Sequence, residues 1–251
     1  MGHPLIHVDV SEPLVPATSV VVKRLAHLFD LAVDSVGVDS HLGSNGLRAS
    51  VGAIPGIRVP GAFDGFELCV RAVLGQQVTV KGASTLMSRL TIAFGEPITT
   101  DDPHLTHLTP TADRLARATV PEIREIGLPS SRAATIHALA THVAAGDIDL
   151  DTNIDVPHDV DALRSNLLAL RGFGPWTVDY IAMRVGHWTD AFPASDIALR
   201  GAMGNASPAQ LTRMAEPWRP FRAYAAMRLW LQGGHEAGPP SRAIVSDRTD
   251  R

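Results

Sequence analysis

Cysteine is all but missing from this 251-residue sequence, and the single Cys69 excludes an internal disulfide framework and any cysteine-held zinc or iron–sulfur site. Long apolar runs are missing too. The longest uncharged stretch, Ala133 to Gly146, has 14 residues and contains two histidines and two threonines, whereas a membrane-spanning helix needs about 20 mostly apolar residues. The Met1-Gly2-His3 start has no basic region followed by an apolar one, and the expected location is the cytoplasm. The 11 histidines show no His-Glu-x-x-His or similar spacing, so a dedicated catalytic metal has no support. What remains is an ordinary globular composition, 45% hydrophobic and 19% charged, long enough for one large domain or two small ones.

A net charge of −4 argues at first against a nucleic-acid partner, but the charge is unevenly spread. Residues 164–228 carry eight arginines against Asp179, Asp190, Asp196 and Glu216, a local net of +4, and leave −8 for the rest. All four tryptophans and both tyrosines fall within residues 176–230. Arginine, aromatic rings and glycine turns thus concentrate in one segment. An aromatic-rich core explains that as readily as a site does.

Residues 4–17 alternate and hold three prolines, which reads as one extended segment with no strand to pair with. The resulting expectation is a remnant of an upstream domain over residues 1–17. Thr18 or Ser19 then caps a helix with Val22, Leu25, Ala26 and Phe29 at helical spacing. Glycine- and proline-rich sequence from Gly43 to Gly65 separates it from a helix over Phe66–Leu74 and another running through Met87 and Leu90. Further helices are predicted at 110–118, 121–126, 130–145, 159–169, 175–187, 196–203, 208–215 and 219–232, followed by a flexible tail over 233–251. The aspartate run from Asp147 to Asp161 reads as a solvated loop with an N-cap. The predicted fold class is all-α.

Leu170-Arg171-Gly172-Phe173-Gly174-Pro175-Trp176-Thr177 joins two of these helices by a tight turn. Both glycines permit positive φ there, and Pro175 suits the first helical position. Such a turn aims free N–H groups outward at the positive end of a helix, which suits one phosphate without reading sequence. Any tight helix–helix turn shares the pattern. Four residues separate Trp176 from Tyr180, so they share a face. Asp196 follows Ser195 at the start of the next helix, where it either caps that helix or stabilises a developing cation. Tyr224, Met227 and Trp230 line one face of the last helix, with core packing as the default explanation.

Taken in order, Phe66–Val80, Leu170–Arg184, Asp196 and Glu216–Trp230 resemble the helix-hairpin-helix DNA glycosylase superfamily, within it the 3-methyladenine DNA glycosylase II (AlkA-like) type. The resemblance runs from about Leu14 to Trp230. It implies two helical lobes with a cleft between them, residues 18–64 plus 190–232 forming one and 65–189 the other. It implies that Asp196 is the catalytic carboxylate and that Trp176, Tyr180 and Trp230 wall the base pocket. Gly172, Gly174 and Thr177 would hold a DNA phosphate, and backbone carbonyls of Leu168, Leu170 and Phe173 a monovalent cation. No other cofactor is required. Gln77 stands where the family inserts a wedge, an aliphatic residue in the prototype, into the gap left by the flipped nucleotide.

Bifunctional relatives place a lysine at the Trp176 position; this sequence has only Lys23 and Lys81, so no lyase activity is expected. The iron–sulfur loop of the endonuclease branch is missing too. Only residues 4–17 could belong to the mixed α/β domain of the prototype, which raises the expectation of a fusion to an upstream methyltransferase or regulatory module. The expected function is a monofunctional N-glycosylase, acting as a monomer, that flips alkylated purines out of double-stranded DNA and excises them, associated with the nucleoid when bound to DNA. The alternatives are a glycosylase for another damaged base and a non-catalytic helix-hairpin-helix DNA-binding module.

Overall fold

In this computed structural model, residues 6–152 and 158–232 are described. The expected tail over 233–251 and part of the aspartate run lie outside them. Among the described residues the chain is helical, with one isolated antiparallel bridge, Pro97 to His107. No helix there is long and apolar enough to cross a membrane.

The first half runs α1 (Thr18–Leu28), α2 (Ser35–Leu42), α3 (Arg48–Ala53), α4 (Gly65–Leu74) and α5 (Val80–Phe94). Three short-to-long helices follow, α6 (Ala112–Ala116), α7 (Val120–Arg124) and α8 (Ser130–Ala144). The second half holds α9 (Val160–Ala169), α10 (Pro175–Arg184), α11 (Ile197–Ala202), α12 (Pro208–Met214) and α13 (Arg222–Gln232). Polar caps start most of them: Asp64 accepts from Glu67 N–H, Thr79 from Gly82 N–H and Asp159 from Ala162 N–H.

The structure departs from the sequence reading in three places. Residues 12–17, expected to be extended, form a 3-10 helix, since proline's fixed φ suits a tight turn as well as an extended chain. Neither Thr18 nor Ser19 is the N-cap of α1. Ala17 stands there, and the Thr18 hydroxyl bonds back to the Val15 carbonyl at 2.7 Å. The stretch read as a Gly/Pro separator contains α3, which follows α2 across a kink at Asn45 and Gly46.

Buried apolar residues form two clusters. One gathers α4, α5 and α8 with the inner faces of α9 and α10, including Cys69, Val73, Leu90, Ile136, Leu139, Leu167, Val178 and Ile181. The other joins α2 to α11, α12 and α13 around Leu42, Leu199, Leu211, Trp218 and Ala225. α10 belongs to both, because Met183 faces the second cluster while Val178 and Ile181 face the first.

Two polar centres fasten α13 to the N-terminal helices. Arg228 is fully buried, pairs with the Asp39 carboxylate on α2 and donates to the carbonyls of Ser50 (3.2 Å) and Ile54 (2.8 Å). Asp39 also accepts the Gly56 N–H at 2.7 Å. In the second centre the Tyr224 hydroxyl donates to Asp30 at 2.9 Å, and Val59 N–H to the same oxygen at 3.1 Å. The ring of His27 lies 3.9 Å from that of His187, and His27 Nε2 meets the Arg184 carbonyl at 3.1 Å. Burial raises the Asp30 carboxyl above its usual range. Burial first, and the adjacent His187 second, push the His27 imidazole down to about 4.

Two stability predictions follow from these centres. Arg228→Met leaves the largely buried Asp39 carboxylate without its cation and the Ile54 carbonyl without its donor, a loss of about 3–5 kcal/mol in urea denaturation. A loss below roughly 1 kcal/mol would show that Arg228 is not the anchor. His27 binds its proton near 6.5 when unfolded but only near 4 when folded, so stability falls as pH drops from 6.5 towards 4. Asp30, with its raised carboxyl, acts in the opposite sense and only above 3.8. His27→Gln should therefore flatten the decline across that window; an equally steep decline in the variant would assign it to other groups.

Candidate active site

α9 and α10 are joined by the tight turn expected from the sequence. Leu170, the C-cap of α9, is extended, and Phe173 N–H donates back to its carbonyl at 3.2 Å. Gly172 has φ +100, and a Cβ there would lie 2.3 Å from the Thr135 hydroxyl on α8. That hydroxyl donates to the Arg171 carbonyl at 3.0 Å, so the turn sits directly on α8. Gly174 differs from the expectation for it. Its φ is −87 and a Cβ there meets nothing within 4 Å, so the backbone does not require glycine. It faces open space as the N-cap of α10, and no side chain caps that helix. Free N–H groups at the positive end of a helix are therefore accessible to an anion.

Thr177 is not on that outer surface. The residue is 4% exposed and its hydroxyl accepts from Gln76 Nε2 at 3.4 Å. Leu168 lies in the last turn of α9, where carbonyls lack helical partners, and Leu170 and Phe173 are buried by their side chains. The donors available to a cation at the hairpin are thus neutral carbonyl oxygens. Leu170's retains one lone pair beyond the Phe173 N–H. Among the described residues no group of three or more His, Cys, Asp or Glu side chains is placed to hold a metal ion.

The aromatic residues begin in the first turn of α10. Trp176 and Tyr180 stack with ring centroids 5.4 Å apart and planes 7° from parallel, as their spacing predicts. The Arg184 guanidinium covers Tyr180 from the next turn, 5.1 Å from the ring centroid. Opposite, Asp196 caps α11 by accepting the Leu199 N–H at 2.9 Å. The same carboxylate accepts two indole N–H groups, from Trp176 at 2.9 Å on one oxygen and from Trp230 at 3.0 Å on the other. Three helices thereby converge on one carboxylate. Its Oδ2, engaged by Trp176 alone, keeps acceptor capacity towards a ligand. A fixed negative charge beside electron-rich ring faces suits a flat, cationic ligand or a cation that develops during a reaction.

Gln77 stands apart from this cluster. It is exposed, in the loop between α4 and α5, with φ +57, a left-handed conformation unusual for a residue with a side chain. Its neighbour Gln76 connects that loop to the hairpin by donating to the Gly172 carbonyl at 3.0 Å. Sequence reasoning missed Gln76, Thr135 and Arg184. The spacing Trp176, Tyr180, Arg184 on one helix was a usable signal for the last. No local pattern marks the other two, whose partners lie far away in the chain.

Comparison with known proteins places these features in context. The family described as HhH-GPD superfamily base excision DNA repair protein matches residues 70–213, and the AlkA N-terminal domain matches residues 2–64. The second match runs through α1–α3, well past the 17 residues expected to belong to such a domain. A probable bifunctional transcriptional activator/DNA repair enzyme AlkA of Mycobacterium tuberculosis is 39% identical over 96% of this chain, and the chain spans about half (48%) of that relative's length. DNA-3-methyladenine glycosylase 2 of Escherichia coli is 33% identical over 91% of this chain and 77% of its own length. The structure of a 3-methyladenine DNA-glycosylase from Archaeoglobus fulgidus superposes with a TM-score of 0.69 at 18% identity, over 90% of this chain and 77% of that one.

The two hairpin glycines should behave differently on substitution. Gly172→Ala forces a left-handed alanine against Thr135, at a cost of at least about 1–2 kcal/mol, while Gly174→Ala should leave the melting temperature almost unchanged. Thermal melts of the two variants check this. Equal destabilisation would mean that the contact with Thr135 does not set the turn.

Proposed function

Because the chain belongs to the HhH-GPD superfamily of base excision DNA repair proteins, we propose that it is a monofunctional DNA N-glycosylase acting on alkylated purines of the 3-methyladenine type. The observation that carries this reading is the Asp196 carboxylate held between the indole N–H groups of Trp176 and Trp230. A DNA-binding module has no need of a carboxylate so placed, since phosphate repels it.

The damaged nucleotide leaves the stack at a cost of a few kcal/mol and its base enters against the aromatic faces. Alkylation at N3 or N7 makes the base cationic, which favours the ring faces of Trp176, Tyr180 and Trp230 and makes it a good leaving group without a general acid. The glycosidic electron pair departs with the base, and positive charge develops on the sugar. Asp196, fixed before the reaction by three hydrogen bonds, stabilises that charge without having to reorganise. Water then adds at the sugar carbon and loses a proton to solvent. No lyase step accompanies excision, because Trp176 occupies the position where bifunctional relatives carry a lysine, and the two lysines lie on α1 and α5.

Gly172 and Gly174 present the N-terminus of α10 to one DNA phosphate, and Gln77 fills the vacated stack. Thr177 contributes through its backbone in the first turn of α10, its hydroxyl being turned towards Gln76. A monovalent cation on the carbonyls of Leu168, Leu170 and Phe173 would add positive charge behind the phosphate. The chain acts on duplex DNA as a single copy in the cytoplasm. The Mycobacterium tuberculosis relative's name joins transcriptional activation to repair, and a regulatory module fused to this one is the corresponding proposal here.

The test is release of 3-methyladenine from methylated duplex DNA by the wild type and by Asp196→Asn. An amide satisfies Trp230 and Leu199 through its oxygen but turns an N–H₂ towards the Trp176 N–H. A small loss of stability, about 1–3 kcal/mol, is therefore expected alongside the lost charge. Excision should fall roughly 10²–10³-fold while binding to DNA with an abasic analogue is retained. Undiminished excision would remove Asp196 from the mechanism, and absence of any base release by the wild type would favour the binding module. Strand cleavage by the wild type would contradict the monofunctional assignment.

A further inference from the structure

The loop between α4 and α5 and the turn between α9 and α10 come from distant parts of the chain. One side chain joins them. Gln76, half-buried, donates its side-chain N–H to the Gly172 carbonyl at 3.0 Å and lies 3.4 Å from the Thr177 hydroxyl on the first turn of α10. On the other side of the turn the Thr135 hydroxyl shares its proton between the Arg171 carbonyl and the Ser131 carbonyl of its own helix, each at 3.0 Å. Two successive carbonyls of the turn are thus tied into the protein from opposite sides. In a trans peptide the N–H points opposite to the preceding carbonyl, so fixing Arg171 C=O also fixes the direction of Gly172 N–H.

Gln76 is also the residue immediately before Gln77, which is exposed and left-handed at φ +57. A residue with a side chain seldom adopts that region and persists there only where its surroundings determine it. The anchored amide of Gln76 supplies that determination from one side, and the Thr79 cap of α5 supplies it from the other.

We propose that Gln76 is a positioning residue that fastens Gln77 to the phosphate-holding hairpin, so that gripping the backbone and occupying the vacated base stack become one rigid operation. The proposal rests on the reading of Gln77 as the wedge. Without the tie, the hairpin still binds a phosphate, but the loop of Gln77 is free to settle elsewhere and the extruded nucleotide returns to the stack more readily. The loss then appears after binding, in the fraction of nucleotide extruded and in the rate at saturating DNA. An amide that merely satisfied a hairpin carbonyl would instead weaken binding to all DNA.

The experiment compares Gln76→Met, which keeps the length of the arm and removes the donor, with Gln77→Ala and with the double variant. Gln76→Asn, which keeps the amide and shortens the arm by one methylene, serves as a second variant should the first fold poorly. Three quantities are read: affinity for undamaged duplex, fluorescence of a 2-aminopurine beside the extruded nucleotide at saturating protein, and single-turnover excision of 3-methyladenine at saturating protein. For both Gln76 variants we expect undamaged-DNA affinity within about threefold of wild type. We expect the fluorescence change to shrink and single-turnover excision to fall about tenfold, as misplacement of a positioning group does. The double variant should be no worse than Gln77→Ala alone. Multiplicative losses in the double variant, a loss confined to undamaged-DNA affinity, or wild-type excision by both Gln76 variants would each overturn the proposal. If Gln77→Ala itself leaves extrusion and excision unchanged, the wedge reading fails and this proposal fails with it. A damaging Gln77→Ala beside inert Gln76 variants defeats the proposal alone.

Discussion

The carboxylate of Asp196 is the point on which the site depends. Its partners come from three helices: an indole from the start of α10, an indole from the end of α13 and a backbone N–H from the first turn of α11. Each bond, being made to a charged group, is worth about 1.5–3 kcal/mol net, and together they fix the distances between three separate helices. The ring positions are therefore consequences of a charge that needed donors. Trp176 then stacks on Tyr180, and Tyr180 carries Arg184, so the order set at Asp196 passes along one face of α10.

Holding those helix ends requires anchors behind them. α13 is fixed by Arg228 on Asp39 and by Tyr224 on Asp30, both deep in the protein and both reaching the N-terminal helices. Deletion of these helices would remove the partners of two buried polar groups. That couples residues matched by the N-terminal domain family to a site matched largely by the other family, and it argues against treating the two as separable units.

Features set by neighbours along the chain were legible in the sequence. The all-α class, the turn between α9 and α10, the four-residue spacing of Trp176 and Tyr180 and the helix start at Asp196 all follow from local pattern. What depended on distant partners was not legible. Nothing in the periodicity of α13 distinguishes Trp230 from a core residue, because its indole N–H finds Asp196 across 34 positions. Gln76 is hidden for the same reason, with its acceptor 96 positions away. Gly172 and Gly174 look alike in sequence, yet only Gly172 is left-handed, because Thr135 beneath it decides the turn. α3 was masked by composition, since a six-residue helix next to a kink carries too little periodicity to outweigh its glycines.

α10 contributes side chains to both hydrophobic clusters, with Met183 on one side and Val178 and Ile181 on the other. A helix shared in this way acts as a common wall, and prising the two clusters apart would strip apolar surface from both of its faces at once. The protein is thereby stiff where a hinge would otherwise lie. In any complex with duplex DNA the deformation must then be borne by the nucleic acid, whose kinking costs a few kcal/mol and is cheapest where base pairs are already weakened. Local softness of the double helix would thus act as a filter ahead of any chemical recognition.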